Sequence, residues 1–351
     1  MTNATDTQLK VGREVYREGI RYFELNDITK AILKPIIAGD DKATDFENCL
    51  KTDPIVSRQI ILDANLQLKN SSVESISHAV VLIGKNRVRD FIFSNFILSG
   101  TPQDQELIFK KVSSEKKPLR YAEETETLAK KLGCDFSGGA WTSGFLFDLL
   151  FHLLSHKKLT QLFDLDFKQL WEHSARTAAL SWSFANISKL SQSACRQAFL
   201  AGLSHEMGRA LLWSIYPTES NEIQNQLRLI RKPQVLTRGL EFELEVEKRY
   251  LSISHCEVGS MLLLATEFMS EIEEVVAFHH DLELLKLRSS KHLQVAQCVS
   301  LADLVAELLV DKSKLTSEEI TEALKLVKIP LNIQSSSVSA AIDGLRAKKL
   351  L

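Results

Sequence analysis

The chain has 351 residues, 44% of them hydrophobic and 25% charged, a composition typical of a globular protein with room for two or three cores. Its formal net charge of −2 and pI near 6.5 give no electrostatic reason to expect nucleic acid or an anionic membrane as the main partner. The five cysteines are scattered without a CxxC pair, which predicts buried, reduced thiols.

The N-terminal stretch, 1–19, is polar and contains no apolar run of the signal-peptide kind. The longest apolar stretches, 91–98 and 145–154, are far shorter than the roughly 20 residues that cross a bilayer. We therefore expect a cytoplasmic protein without membrane insertion.

Apolar residues recur at spacings of three and four, and only 14 Gly and 7 Pro interrupt them, which predicts an all-α protein. Pro54 is expected at a helix start, where its missing N–H costs nothing. Ser72 or Ser75 is expected to cap the next helix, and Gly84 begins a short break after it.

Residues 101–118 are polar and rich in lysine, and nearby glutamates neutralise the lysines. This balance favours an exposed connection over a phosphate-binding patch.

A weak internal repeat relates 128–154 to 184–212 when Gly144 is aligned with Gly202. In this register Phe147 takes the place of a histidine of the second copy, and Asp148 takes the place of the glutamate that follows it. The first copy is therefore predicted to pack at this position and not to bind.

No phosphate-binding loop, GxGxxG, HExxH or GxSxG motif occurs in the sequence, so nucleotide-loop and serine or cysteine hydrolase chemistry has no support. What remains is a set of histidines and acids placed among small and apolar residues. These lie in five segments: LWEHS (170–174), AGLSHEMGRALL (201–212), HCEVGSMLL (255–263), HH (279–280) and LADLVAE (301–307).

Three members of this set, His173, His279 and Asp303, share helical stripes with apolar residues and are predicted to point inward. His280 lies about 100° further round the helix than His279. A buried carboxylate at 303 needs a protonated histidine, an arginine or a metal as partner. A single inward histidine is usually a hydrogen-bonded core residue, but several with an aspartate on separate helices favour a divalent transition metal.

The segments LWEHSARTAALSW, FLAGLSHEMGRALL, ISHCEVGSMLLLATEF, EEVVAFHHD and VSLADLVAEL resemble the successive core helices of an HDOD domain, the HD-related output domain of bacterial signalling proteins. LKTDPIVSRQIILDAN and SISHAVVLIGKNRVRDFIFSNFIL are similar to the N-terminal lobe of the same family. The resemblance covers about 30–312, with a weak stretch near 100–165.

The resemblance implies an all-helical, two-lobe protein related to HD phosphohydrolases and to HD-GYP cyclic-di-GMP phosphodiesterases. The predicted division is a helical extension (1–25), an N-terminal lobe (26–100), a linker or inserted helical segment (101–165), an HD-type bundle (166–312) and C-terminal helices (313–351). The candidate metal ligands that it implies are His173 as the first HD ligand, His205 and Glu206 as the HD doublet, Asp303 as the last aspartate, and His255, His279 and His280 as the histidines of a second metal.

The chain departs from the HD pattern at the doublet, which is His205-Glu206 and not His-Asp, at Arg209, which replaces a lysine, and in lacking a GYP sequence after HHD. Catalysis is sensitive to such shifts of a metal and its water. We expect a non-catalytic signal-transduction module that binds a signalling protein, in cyclic-di-GMP or motility control.

The alternative is an HD-type, metal-dependent phosphohydrolase or phosphodiesterase, and a nucleic-acid-binding role is disfavoured by the charge. No cofactor is required by the first interpretation, whereas Fe, Mn or Zn would serve the second. Both interpretations are compatible with an oligomer, and the sequence does not identify the signalling partner.

Overall fold

A computed structural model shows the chain as packed α-helices, with no β-strand among the residues that it describes. This confirms the predicted all-α class. The described residues are 2–20, 54–67, 73, 75–84, 88, 120–134, 140–141, 143–148, 150, 166–230, 242–266, 269–310, 314–327 and 333–351.

The helices are numbered in chain order. They are α1 (Thr2–Glu18), α2 (Pro54–Gln67), α3 (Ile76–Ile83), α4 (Arg120–Leu132), α5 (Phe167–Ile187), α6 (Gln192–Ser204), α7 (Met207–Ile215), α8 (Pro217–Ile230), α9 (Phe242–Leu251), α10 (His255–Thr266), α11 (Ser270–Phe278), α12 (Leu282–Leu287), α13 (Leu293–Leu308), α14 (Ser317–Leu326) and α15 (Ser335–Ala347). The segment 140–150 is also helical at its described positions.

Helix α2 begins, and α3 begins and ends, where the sequence predicts. Pro54 is the first residue of α2. The Ser75 hydroxyl accepts the backbone N–H of His78 and caps α3, which ends at Gly84 with a φ of 81°. Most of the predicted lobe (26–100), including Ser72 and Cys49, and most of 101–165 lie outside the described residues, so those boundaries stay predictions.

The first helix is docked on the bundle. Val15 of α1 is fully buried, and Gly19, which follows the helix, is packed against the side chains of Leu211 and Ile215 of α7. The predicted N-terminal extension thus joins the main apolar core.

The main core forms where α5 packs against α6 and α13 and where α7 packs against α10. A Cβ on Gly202 of α6 would lie 3.0 Å from Cα of Ala178 and 2.6 Å from the Ser181 hydroxyl of α5. A Cβ on Gly208 of α7 would overlap the carbonyl oxygen of His255 at the start of α10. Glycine therefore permits the backbone contacts that bring the histidine-bearing helix ends together.

The two aligned segments share a helix-ending motif, which also ends α12 and α15. Gly133 after α4 and Lys189 after α5 both have a positive φ, 81° and 56°. Each stands in a helix-ending motif of the same hydrogen-bond pattern. The matching bonds are Cys134 N–H to the Ala129 carbonyl and Leu190 N–H to the Ala185 carbonyl. Gly144, like Gly202, is packed against the preceding helix of its own copy.

In the first copy, the two residues aligned with His205 and Glu206 have packing and capping roles. The Phe147 ring is fully buried and lies edge-on to Trp171, with ring centroids 5.2 Å apart. The Asp148 carboxylate accepts the backbone N–H groups of Tyr121 and Ala122 at 3.0 and 2.9 Å, so it caps α4. Burial raises the pKa of Asp148 to about 8, although these hydrogen bonds oppose the rise. This acid thus has a structural partner in place of a metal.

In the described part of the chain Cys134, Cys195, Cys256 and Cys298 are buried thiols outside any disulfide, as predicted. Among the described helices, none is both long enough and apolar enough to span a bilayer.

Candidate metal centre

Three of the predicted ligand side chains meet inside the bundle. His173 comes from α5, His205 follows the last residue of α6, and Asp303 comes from α13. Nε2 of His173 lies 2.9 Å from Oδ1 of Asp303 and 3.2 Å from Nε2 of His205. Nε2 of His205 lies 3.5 Å from the same Asp303 oxygen. The predicted convergence of these three side chains is therefore observed.

Apolar burial on each helix fixes this placement. The neighbours that share a stripe with each predicted inward residue are buried. They are Leu170, Thr177, Leu180 and Phe184 on α5; Ile272, Val275 and Val276 on α11; and Val295, Val299, Ala302 and Ala306 on α13. His173 and Asp303 lie at the edge of the core, with 16% and 14% of their side chains exposed.

A backbone hydrogen bond sets the orientation of His205. Its Nδ1–H donates to the carbonyl oxygen of Gly202 over 2.8 Å. Nε2 therefore carries the lone pair and is presented to His173 and Asp303, which is the usual anchoring of a metal-binding imidazole.

The three donor atoms fit one divalent ion. An ion that binds nitrogen and oxygen at about 2.0–2.2 Å holds neighbouring donors about 2.8–3.6 Å apart. The distances among His173, His205 and Asp303 run from 2.9 to 3.5 Å. Two imidazoles and one carboxylate suit Fe, Mn or Zn, and three protein ligands leave coordination positions open.

Charge pairing stabilises the same site without a metal. Burial opposes ionisation of Asp303, but the hydrogen bond from His173 outweighs it and holds the Asp303 pKa well below its usual value. Burial also opposes the charged form of His173, but Asp303 outweighs it and raises the His173 pKa. A proton on His173 thus neutralises Asp303, and a divalent ion would displace that proton.

The second member of the doublet, Glu206, is turned toward an arginine. Its Oε2 lies 2.9 Å from Nε of Arg209, whereas its Oε1 is 3.9 Å from Nε2 of His205. Burial would raise the Glu206 pKa, but the charge of Arg209 outweighs it and lowers the pKa. Glu206 is therefore an ionised carboxylate with a cationic partner.

Arg209 is itself surrounded by carboxylates. Its Nη2 donates to Glu243 over 2.7 Å, and its Nε lies 3.5 Å from Glu247. Glu247 in turn accepts both the backbone N–H and Nδ1–H of His255, each over 2.8 Å. Arg209 is only 6% exposed, so its charge is committed to this network.

The remaining predicted ligands form a second cluster next to the first. His255, His279 and His280 lie together with Cys256, and one donor atom from each falls within 4.8 Å of all the others. The rings of His205 and His279 connect the two clusters, with centroids 5.2 Å apart.

Sequence reasoning missed three members of this region: Cys256, Glu243 and Glu247. Cys256 is adjacent to a candidate ligand, and this adjacency was the available signal. Glu243 and Glu247 lie one turn apart on α9, but a charged helix of this kind is usually a solvated surface, so the pattern alone did not identify the half-buried Glu243 or the buried Glu247.

The chain matches the profile of the HDOD domain over residues 24–151 and 149–282. Together the two segments cover well over half of the chain, and the first ends just past Asp148, the acid of the first repeat. A comparison with curated proteins gives no match.

Among solved structures, a candidate phosphohydrolase from Shewanella amazonensis SB2B has a TM-score of 0.50 at 13% identity, with 97% of this chain and 95% of that chain covered. An HDOD domain protein of unknown function from Geobacter sulfurreducens has a TM-score of 0.46 at 17% identity, covering 99% and 97%. The likeness to the first structure supports the helical fold.

Proposed function

The chain belongs to the HDOD domain family, and from that premise we propose that it is a regulatory member that keeps a single-metal centre without phosphodiester hydrolysis. The centre consists of His173, His205 and Asp303. The observation that carries the proposal is the buried ion pair between Glu206 and Arg209, 2.9 Å long.

This ion pair keeps the doublet acid from serving a metal. If Glu206 turned toward an ion at His205, Arg209 would lose one of its carboxylates inside the core. The buried Arg209 charge would then be balanced by Glu243 and Glu247 alone. A three-ligand centre that leaves Glu206 in place keeps all three carboxylates around Arg209.

The same network withholds a cation from any substrate. Hydrolysis of a phosphodiester needs an aligned water and a cation close to the phosphoryl oxygens, because negative charge builds up on these oxygens in the transition state. Arg209, which stands where the HD pattern has a lysine, is instead committed to Glu243 and Glu247 as well as Glu206. A bound ion would supply Lewis acidity here, but these residues hold no cation ready to stabilise the developing charge.

A regulatory role follows as the better account. The family resemblance suggests that the folded helical surface binds a signalling protein, in cyclic-di-GMP or motility control. In this account the metal centre stabilises the junction of α5, α6 and α13, the helices that form the middle of the core.

One observation favours a second candidate, an HD-type phosphohydrolase. Three protein ligands leave positions for water and substrate, and His173 and Asp303 lie at the accessible edge of the core.

An assay separates the two candidates. The full chain, loaded with Mn²⁺ or Fe²⁺, is compared with a His205→Ala variant on cyclic-di-GMP and on a chromogenic phosphodiester. We expect the same negligible background in both proteins. His292→Ala, which removes a histidine outside both clusters, is the matched control. Turnover that is present in the wild type and in His292→Ala but absent from His205→Ala would overturn the regulatory proposal.

A further inference from the structure

The second cluster joins two helix ends. His255 and Cys256 are the first residues of α10, and His279 and His280 follow the last residue of α11. The four are at most 5% exposed. Sγ of Cys256 lies 3.4 Å from Nε2 of His255, and 3.6 and 4.0 Å from Nδ1 and Nε2 of His279.

Two of the histidines are anchored in the orientation that metal ligands adopt. Nδ1–H of His255 donates to Glu247 over 2.8 Å, and Nδ1–H of His279 donates to the Val276 carbonyl over 2.8 Å. In the neutral form of each ring the lone pair is therefore on Nε2, the nitrogen that would bind an ion. A carboxylate or carbonyl on the far nitrogen is the usual outer partner of a metal-bound histidine.

The third histidine, His280, differs from the other two in its surroundings. Both Nδ1 and Nε2 of His280 are buried without a partner among the described residues. Its ring lies 4.2 Å from that of His279 and 5.2 Å from that of His255, centroid to centroid. Leaving a buried polar atom unpaired costs about 1–3 kcal/mol, so a ligand that accepts the lone pair of His280 would remove a real penalty.

We propose that His255, Cys256, His279 and His280 form a closed, four-ligand site for Zn²⁺ with a structural role. One thiolate and three imidazoles are ligands that Zn²⁺ prefers, and binding would release the thiol proton to solvent. Filled tetrahedral sites have ligand edges of about 3.3–3.6 Å. The donors here lie within 4.8 Å of one another, so small side-chain rotations suffice to close the site.

Cys256 makes this site different from the second centre implied by the resemblance. With four protein ligands, no coordination position is left for water, so the ion cannot supply a hydroxide nucleophile. Its effect would be to clamp the start of α10 to the end of α11. This site does not depend on a metal bound at His173, His205 and Asp303.

Cobalt spectroscopy of the full chain tests the site. The purified protein is stripped of metal and titrated with Co²⁺, because a thiolate ligand gives a sulfur-to-cobalt charge-transfer band and a tetrahedral site gives intense visible bands. We expect one equivalent of the charge-transfer species, displaced by Zn²⁺. We expect Cys256→Ala to lose the band, and Cys195→Ala, which removes another fully buried thiol, to keep it.

Two further variants keep the outcome interpretable. Asp303→Asn alters the first centre only and is expected to retain the band. His280→Gln is expected to lower the Zn²⁺ affinity by at least about 100-fold, in line with the loss seen when support for a metal ligand is removed. Co²⁺ binding without a charge-transfer band in the wild type, or a band that survives in a folded Cys256→Ala protein, would overturn the inference.

Discussion

Replacing Arg209 with alanine is expected to lower the free energy of unfolding by about 3–5 kcal/mol, because it leaves buried carboxylates without their cation. Glu206 and Glu247 are each 2% exposed, so water cannot solvate the negative charge of either carboxylate once the arginine is removed. The measurement is urea unfolding at neutral pH in metal-free buffer. The free energy of unfolding of Arg209→Lys is expected to lie between those of the wild type and Arg209→Ala. The lysine ammonium keeps the positive charge but lacks the planar, multi-donor geometry of the guanidinium.

The control for this prediction is a surface ion pair. Arg17→Ala removes a pair with Glu18 in which the side chains are 67% and 42% exposed, and it should change stability by no more than about 1 kcal/mol. Adding Glu206→Gln to Arg209→Ala should recover part of the loss, because the unpaired charge is then gone. A loss below about 1 kcal/mol for Arg209→Ala would mean that the network does not hold Glu206.

Asp303→Asn is expected to weaken Mn²⁺ binding by at least about 100-fold, which is the upper end of the effect of removing an outer-shell partner. The substitution removes the only carboxylate of the three-ligand cluster and keeps the side-chain shape. Mn²⁺ is the suitable probe, because it favours carboxylate and imidazole over thiolate ligands. Isothermal titration of the apo proteins measures the affinity.

Asp281→Asn provides the matched control. Asp281 accepts the backbone N–H of Leu284 and caps α12, a role that asparagine fills equally well. Its Mn²⁺ affinity should equal that of the wild type. If Asp303→Asn bound Mn²⁺ within about threefold of the wild type, the ion would have to bind elsewhere.

Helical periodicity was sufficient to predict part of the site. His173, His279 and Asp303 occupy apolar stripes, so their inward direction follows from local sequence. His205 ends α6 at a close helix crossing, and its approach to Asp303 depends on packing between residues far apart in the chain. Only the family resemblance predicted that meeting.

The fate of Glu206 was not predictable in the same way. The spacing to Arg209 allows contact on one helix turn, but the carboxylate is held there because Arg209 is fixed by Glu243 and Glu247. Both residues lie on α9, and nothing in their local pattern marks Glu247 as buried or Glu243 as a partner of Arg209. Cys256 was likewise predicted as a buried thiol, while its place beside His279 and His280 comes from the packing of α10 against α11, where Gly259 lies close to Val276.

The most direct test of the account is a crystal structure of the Mn²⁺-loaded protein with anomalous diffraction recorded for manganese. The account predicts one manganese peak about 2.0–2.2 Å from Nε2 of His173, Nε2 of His205 and a carboxylate oxygen of Asp303, with Glu206 still paired to Arg209. A structure in which Glu206 leaves Arg209 and binds manganese, alone or between two ions, would contradict it.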